Sequence, residues 1–341
     1  MSENVIIIAE AGVNHNGDLS CAMQLVDAAA DAKVDYVKFQ TFKADKIVSK
    51  SAKKAKYQKN NTGDNNDSQY EMLKRLELSE DDHVKLQEYS TKKGVKFFST
   101  AFDLDGLDYL NTLGFEMFKV PSGEITNYPY LAKLATFNKP VILSTGMANL
   151  EEINAALKVL TSSGLTLEEI TVLHCNTEYP SPMSDVNLKA MQTIANYCGV
   201  QIGYSDHTLG IEVPIAAVAL GAKVIEKHFT LDRSLPGPDH RASLQPEELT
   251  AMVSAIRNIE LAMSGDATKS PSPSEAKNLD VARKSVFTSR AIQKDEIVTE
   301  QDLVCLRPGN GISPMKWSEI VGRKAAYNIE AFSMLKWEHL R

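Results

Sequence analysis

Short runs of β-branched and aromatic residues alternate along the chain with longer segments whose apolar positions recur every three or four residues. The short runs predict strands at Val5–Glu10, Tyr36–Gln40, Lys96–Thr100, Met117–Val120, Val141–Ser144, Thr171–His174, Gln201–Tyr204 and Val224–His228. The longer segments predict helices at Leu19–Lys33, Ser79–Lys93, Leu104–Leu113, Tyr128–Phe137, Leu150–Ser162, Val186–Tyr197, Ile211–Leu220 and Gln245–Met263. Ser79 followed by Glu80, Asp81 and Asp82 reads as a helix start. Gly94, Gly114 and Gly164 fall where helices should stop. Eight strand-then-helix units predict an α/β protein whose parallel sheet closes into a (β/α)8 TIM barrel. An open doubly wound sheet has the same count. It would, however, scatter the polar residues found at strand ends, namely Glu10, Lys38, Gln40, Ser99, Lys119, Ser144, Asn176, Ser205 and His228. A barrel gathers them at one face, where barrel enzymes build their sites.

Two segments break this rhythm. Lys43–Tyr70 is long and polar, which predicts a lid, a binding loop or disorder. Residues 264–279 begin SGDATKSPSPSEAK and read as a linker between a catalytic barrel at 1–263 and a small module at 280–341. The module has apolar runs at Ser285–Thr288 and Leu303–Leu306, turn residues at Arg307–Gly311, and short helical patterns at Pro314–Val321 and Glu330–Leu335. It carries ten Lys and Arg against eight Asp and Glu, whereas the whole chain of 341 residues has a net charge of −7. That acidic balance argues against nucleic acid as a partner, and no apolar stretch is long enough to span a membrane. Four cysteines without CxxC spacing do not predict a disulfide framework or a structural zinc site. The opening MSENVIIIAE lacks a basic, cleavable leader, so the expected compartment is the cytoplasm.

The candidate chemistry lies at the strand ends. GYSDHTLG and EKHFT put His207 and His228 at the mouths of neighbouring strands, with Asp206 and Glu226 close in sequence. Two imidazoles so placed can ligate a divalent transition metal that keeps open positions, or they can be ordinary polar residues. Lys38 and Lys119 sit in otherwise apolar strands, where a lysine needs an anionic partner. Ser122, Ser144 and Ser205 can donate to phosphate or carboxylate oxygens, and Gly123 and Gly146 allow close backbone approach. Together they predict a site for a phosphorylated or carboxylated substrate. Glu10 and Glu124 are candidate proton carriers, hydroxyl acceptors or lysine partners. His15 and Asn16 are left without a role, and His174 could be a core residue.

The motifs EAGVNHNGD, KFQTF, FFSTAFD, KVPSGEITNYPYL, LSTGMA, LHCNTEYPSP, GYSDHT, EKHFTLD and GPDHRASL resemble the sialic acid (nonulosonate) synthase family over nearly the whole chain. RKSVFTSRAIQKDEIVTEQDL and RPGNGISP resemble that family's C-terminal antifreeze-like (SAF) domain. The resemblance implies a transferase that joins phosphoenolpyruvate to an N-acetylated mannosamine-type sugar. Water enters, phosphate leaves, and a nine-carbon 2-keto acid results. It implies a divalent metal on His207 and His228, usually manganese, with magnesium or cobalt as alternatives. It implies Glu10 at the reacting carbons, and Lys38, Lys119, Ser122, Ser144, Ser205 and Lys284 on phosphoenolpyruvate. Gln40, Phe102, Glu124, Thr177, Tyr179 and Asp239 would line the sugar site, and Arg307 would reach it across a homodimer with exchanged small domains. In the family resembled, bacterial members forming N-acetylneuraminate carry Asn where this chain has Thr177. NTEYP, EITNYPYL and KKAKYQ resemble instead the branch that makes N,N'-diacetyllegionaminate. The alternatives are N-acetylneuraminate synthesis from N-acetylmannosamine and, in another class, a carbohydrate- or ice-binding protein.

Overall fold

The computed structural model describes residues 4–63 and 66–341. The chain divides into two units, Met1–Ser264 and Gly265–Arg341.

The first unit carries eight parallel strands: β1 (Ile6–Gly12), β2 (Tyr36–Thr41), β3 (Lys96–Ala101), β4 (Phe118–Val120), β5 (Val141–Ser144), β6 (Ile170–Cys175), β7 (Gln201–Asp206) and β8 (Val224–His228). They pair in the order β3-β2-β1-β8-β7-β6-β5-β4, and β3 and β4 at the two ends lie against each other, so the barrel is nearly closed. No regular ladder joins those two. Instead the buried hydroxyl of Tyr130 donates to Ala101 O at 2.8 Å and lies 3.5 Å from Lys119 O, tying the seam from the helix layer. β1, β2, β3, β6 and β7 run one or two residues past the ends expected from the sequence. Parallel pairing continues there, as between Cys175 and Ser205.

Each strand is followed by a helix that covers it: Leu19–Asp31, Glu80–Lys93, Leu104–Thr112, Tyr128–Ala135, Leu150–Ser162, Lys189–Cys198, Glu212–Ala219 and Pro246–Ala262. The starts and stops follow the expected chemistry. Ser79 Oγ accepts from Asp82 N at 3.1 Å while Asp82 Oδ2 accepts from Ser79 N at 3.1 Å. Gly94 ends that helix at φ 80°, a conformation that costs a residue with a Cβ. Val186–Leu188, expected as helix, is a turn whose Val186 O bonds His174 Nε2 at 2.9 Å, so His174 is a packed structural residue. Between strands and helices lies one continuous core that includes Ile7, Val37, Phe97, Val172, Leu25, Leu86, Leu157 and Ile256. Each such side chain contributes about 1.5–3 kcal/mol by burial.

Within Lys43–Tyr70 the described residues form short helices at Ala44–Ile47 and Lys56–Thr62, and a third follows at Gln69–Leu76.

The second unit pairs β9 (Ser285–Thr288) with β10 (Leu303–Leu306) antiparallel over a small core of Val286, Ile292, Val298, Ile320, Ile329 and Leu335. Pro314–Ile320 is helical as expected. Glu330–Leu335 is not. It turns at Phe332 (φ 58°), Met334 bridges to Phe287, and Leu335 N donates to Val286 O at 2.9 Å. In so small a unit, pairing with β9 satisfies these backbone groups, which a single helical turn would leave open.

Candidate active site

Side chains alternate along a strand, so every second residue of β8 faces the barrel interior. Glu226 and His228 face the mouth. Lys227, between them, faces the helix layer, where its Nζ lies 2.5 Å from Asp206 Oδ2 and 2.5 Å from Thr208 O. Asp206 also accepts from Thr208 N at 3.1 Å and Thr208 Oγ1 at 3.0 Å, which shapes the chain after β7. Asp206 therefore braces a loop and is absent from the cavity lining, whereas Glu226 is part of it.

The alternation in the other strands turns Glu10, Lys38, Gln40, Thr100, Lys119, Ser144 and Ser205 into the same mouth. Lys38 Nζ lies 2.9 Å from Glu10 Oε2, 3.4 Å from Glu226 Oε2 and 3.0 Å from Thr100 Oγ1. Lys119 Nζ donates to Ser144 Oγ at 2.7 Å and stands 3.6 Å from Glu226 Oε1, which also accepts from Ser205 Oγ at 2.9 Å. Gln40 Nε2 donates to Glu10 Oε1 at 3.1 Å. Glycine is required at two edges of this floor. A Cβ on Gly146 would stand 2.4 Å from Thr177 Cγ2 and 2.8 Å from Ser122 Oγ, the atom to which Gly146 N donates. Gly12 ends β1 at φ 54°, beside Glu10 Oε1 and His228 Cε1.

Two cations and two carboxylates are thus buried together on the floor of the mouth, and their protonation is divided. Burial would raise Glu226, but Lys119, Lys38 and Ser205 outweigh it and hold the carboxyl at about 2. Burial raises Glu10, with Glu226 adding to it against Lys38, so Glu10 is the carboxyl that holds a proton more readily. Burial lowers Lys119, while Glu10 and Glu226 overcome burial at Lys38 and raise it. Two carboxyls pushed apart in this way can serve as a proton carrier and a fixed charge.

His207 and His228 lie side by side, ring centroids 5.3 Å apart, with Tyr179 against both at 4.1 and 5.5 Å. Burial lowers His207 to about 4; burial and His207 lower His228 well below the usual imidazole range, so both are neutral. His207 Nδ1 bonds Asn176 O, which assigns its proton and leaves Nε2 with a free lone pair. His228 Nδ1 is buried without a hydrogen-bond partner, with Asp239 Oδ2 3.9 Å away. Burial and the Glu10 charge raise Asp239 to about 7. Among the described residues no three His, Cys, Asp or Glu side chains converge as a metal cage. Two neutral imidazoles with unused lone pairs still fit a cation held at an open site.

These groups line one cavity of about 630 Å³, within the size range of small-molecule sites. Of the residues expected to act, Glu10, Lys38, Gln40, Phe102, Lys119, Ser122, Glu124, Ser144, Thr177, Tyr179, Ser205, His207, His228 and Asp239 all line it. Lys284 and Arg307 belong to the second unit, where both are exposed and Arg307 Nε donates to Ala282 O at 3.0 Å. The sequence reading gave Glu226 no role beyond neighbouring His228, although its position two residues before His228 places both on one strand face. It also missed Tyr57, which stacks on Tyr179 with centroids 5.0 Å apart. Asn61 was missed as well. Its Nδ2 donates to Pro238 O at 2.7 Å and Tyr179 O at 3.1 Å, holding the helix Lys56–Thr62 over the mouth.

Comparison with known proteins places this arrangement. The model of the NeuB family matches residues 25–269, and that of the SAF domain matches residues 283–341. Over 334 residues the chain is 51% identical to the N,N'-diacetyllegionaminic acid synthase of Campylobacter jejuni, covering 98% of this chain and 99% of that protein. It is 49% identical to the N,N'-diacetyllegionaminic acid synthase of Legionella pneumophila, over 99% of this chain and 95% of the other. The crystal structure of the N-acetylneuraminic acid (sialic acid) synthetase of Leptospira borgpetersenii superposes with a TM-score of 0.70 at 36% identity, covering 81% of this chain and 90% of that one.

Proposed function

The chain belongs to the NeuB family of sialic-acid-type synthases, and on that premise we propose that it condenses phosphoenolpyruvate with 2,4-diacetamido-2,4,6-trideoxymannose to give N,N'-diacetyllegionaminate. The observation that carries the reading is the buried floor of Lys38, Lys119, Ser144 and Ser205 beside two neutral imidazoles. The first set suits the phosphate and carboxylate of phosphoenolpyruvate. The second suits a divalent cation, taken as manganese from the family resemblance. When bound, such a cation polarises the aldehyde oxygen of the open-chain sugar.

The chain's own residues do the rest. Lys38 and Lys119, with Ser122, Ser144 and Ser205, hold the enol phosphate with its methylene toward the aldehyde. The enol electron pair forms the new carbon–carbon bond, water adds to C2, and phosphate leaves with the bridging oxygen as the C2 keto group forms. Glu10, the carboxyl that burial leaves readier to be protonated, manages the proton at the water or the new hydroxyl. Glu226 stays anionic and faces both lysines, 3.4 Å from Lys38 Nζ and 3.6 Å from Lys119 Nζ. Gln40, Phe102, Glu124, Thr177, Tyr179 and Asp239 line the sugar's part of the cavity. Thr177, shorter than an amide side chain, leaves room for a second acetamido group.

Lys284 and Arg307 enter as groups that a partner copy contributes in a homodimer with exchanged small domains; their exposure supports this. A cytoplasmic location is part of the same reading.

The test is phosphate release from phosphoenolpyruvate with manganese, comparing the diacetamido sugar with N-acetylmannosamine. A preference of at least tenfold for the diacetamido sugar, on the order of one or two well-placed contacts, is expected. A preference for N-acetylmannosamine would make the chain an N-acetylneuraminate synthase and remove Thr177 as a selector.

A further inference from the structure

The cavity is chemically divided. Away from the charged floor its lining includes Val13, Ile47, Met72, Leu73, Leu76 and Phe102. With Phe42 these residues form an apolar cluster separate from the main core. Val13, Met72 and Leu76 are buried, whereas Ile47, Leu73 and Phe102 are half-buried and line the cavity. The segment after β2 supplies most of this cluster, and buried Asn61 ties that segment to the chain after β6 and β8. Polar side chains nearby are partly engaged: Gln58 Oε1 accepts from Ala55 N at 2.9 Å, while Lys56 and Gln69 line the cavity as well. A hydroxyl set against Ile47, Leu73 and Phe102 would lose water to three side chains that carry no donor or acceptor. A methyl would lose nothing and bury its surface.

We propose that this wall selects the sugar at C6, taking the methyl of a 6-deoxy sugar and disfavouring a C6 hydroxyl. The inference rests on the synthase reading above and names the residues that set its substrate class. Apolar pockets discriminate by about 10–200-fold per methylene and by up to about 100-fold against an added hydroxyl, so a preference of roughly 10–100-fold is expected.

The experiment measures kcat/KM at saturating phosphoenolpyruvate for two sugars that differ only at C6: 2,4-diacetamido-2,4,6-trideoxymannose and 2,4-diacetamido-2,4-dideoxymannose. The native protein should prefer the deoxy sugar about tenfold or more. Leu73→Asn should compress that preference to below about threefold with the KM for phosphoenolpyruvate unmoved, and Leu73→Met should retain it. Ile47→Thr, at a half-buried position, gives the same reading if Leu73→Asn does not fold. Equal use of both sugars by the native protein would overturn the inference. So would a preference that survives both polar variants. Should the native protein release phosphate with neither sugar, the synthase reading itself fails and the C6 assignment falls with it.

Discussion

At the scale of single residues, the site is a problem of buried charge. Lys119 is buried, with Glu226 at 3.6 Å and Ser144 at 2.7 Å. Its replacement by Met removes an anion-binding group and leaves Glu226 with one lysine fewer. Lys119→Met should lower kcat/KM for phosphoenolpyruvate by about 100-fold or more, the ~3 kcal/mol typical of losing one partner of a buried charge pair. The KM for the sugar should move less than about threefold, because loss of one phosphate contact does not change the sugar's own lining. Steady-state kinetics with each substrate varied in turn reads the split. Equal losses for both substrates would make Lys119 a general structural residue and not part of the phosphoenolpyruvate site.

At the scale of elements, the strands carry the chemistry and the connections decide its access. β3 and β4 complete the ring without a regular ladder, so their seam depends on side chains from the helices. Tyr130 supplies one of them through its bond to Ala101 O. Tyr130→Phe keeps the ring and deletes only the hydroxyl, leaving a buried carbonyl without that donor. It should cost ~1–3 kcal/mol in urea unfolding. A loss below about 0.5 kcal/mol, the size of an unremarkable surface substitution, would show that packing alone closes the barrel. The segment after β2 was expected as a lid, a binding loop or a disordered stretch. Its described residues form short helices, and Tyr57 and Asn61 link it to Tyr179 and Pro238. Short amphipathic turns of this kind are weak in isolation and gain their order from what they cover.

At the scale of the whole molecule, burial couples stability to pH. Burial is the leading cause that lowers all seven histidines, and His15, His207 and His240 fall from 6.5 to about 4. The unfolded chain then binds protons more readily than the folded one, so this stability is complete above about 6.5 and is lost as pH falls toward 4. Asp239, raised to about 7, and Glu10, also raised, act in the opposite sense, gaining stability as pH falls. The histidines outnumber them. The urea midpoint, measured with chelator present, should therefore fall between pH 7 and pH 5; a rise would mean that the two carboxyls dominate. The eight strand–helix units, their order and the polar strand ends were legible in the chain, because these follow from local periodicity and from caps such as Ser79 and Gly94. The chain also carried the motifs of the family. That Glu226 centres the charged floor while Asp206 faces away to Lys227 emerged from the fold. Strand parity puts Glu226 on the face of His228, but which groups meet there depends on neighbours on other strands, such as Lys227 for Asp206 about twenty residues on. The same holds for Asn61, whose partners lie more than a hundred residues along the chain, and for Glu330–Leu335, where long-range pairing with β9 overrides a local helical pattern. Periodicity reports which side of an element meets apolar surroundings; it carries no information on which distant groups meet there, and that meeting makes the site.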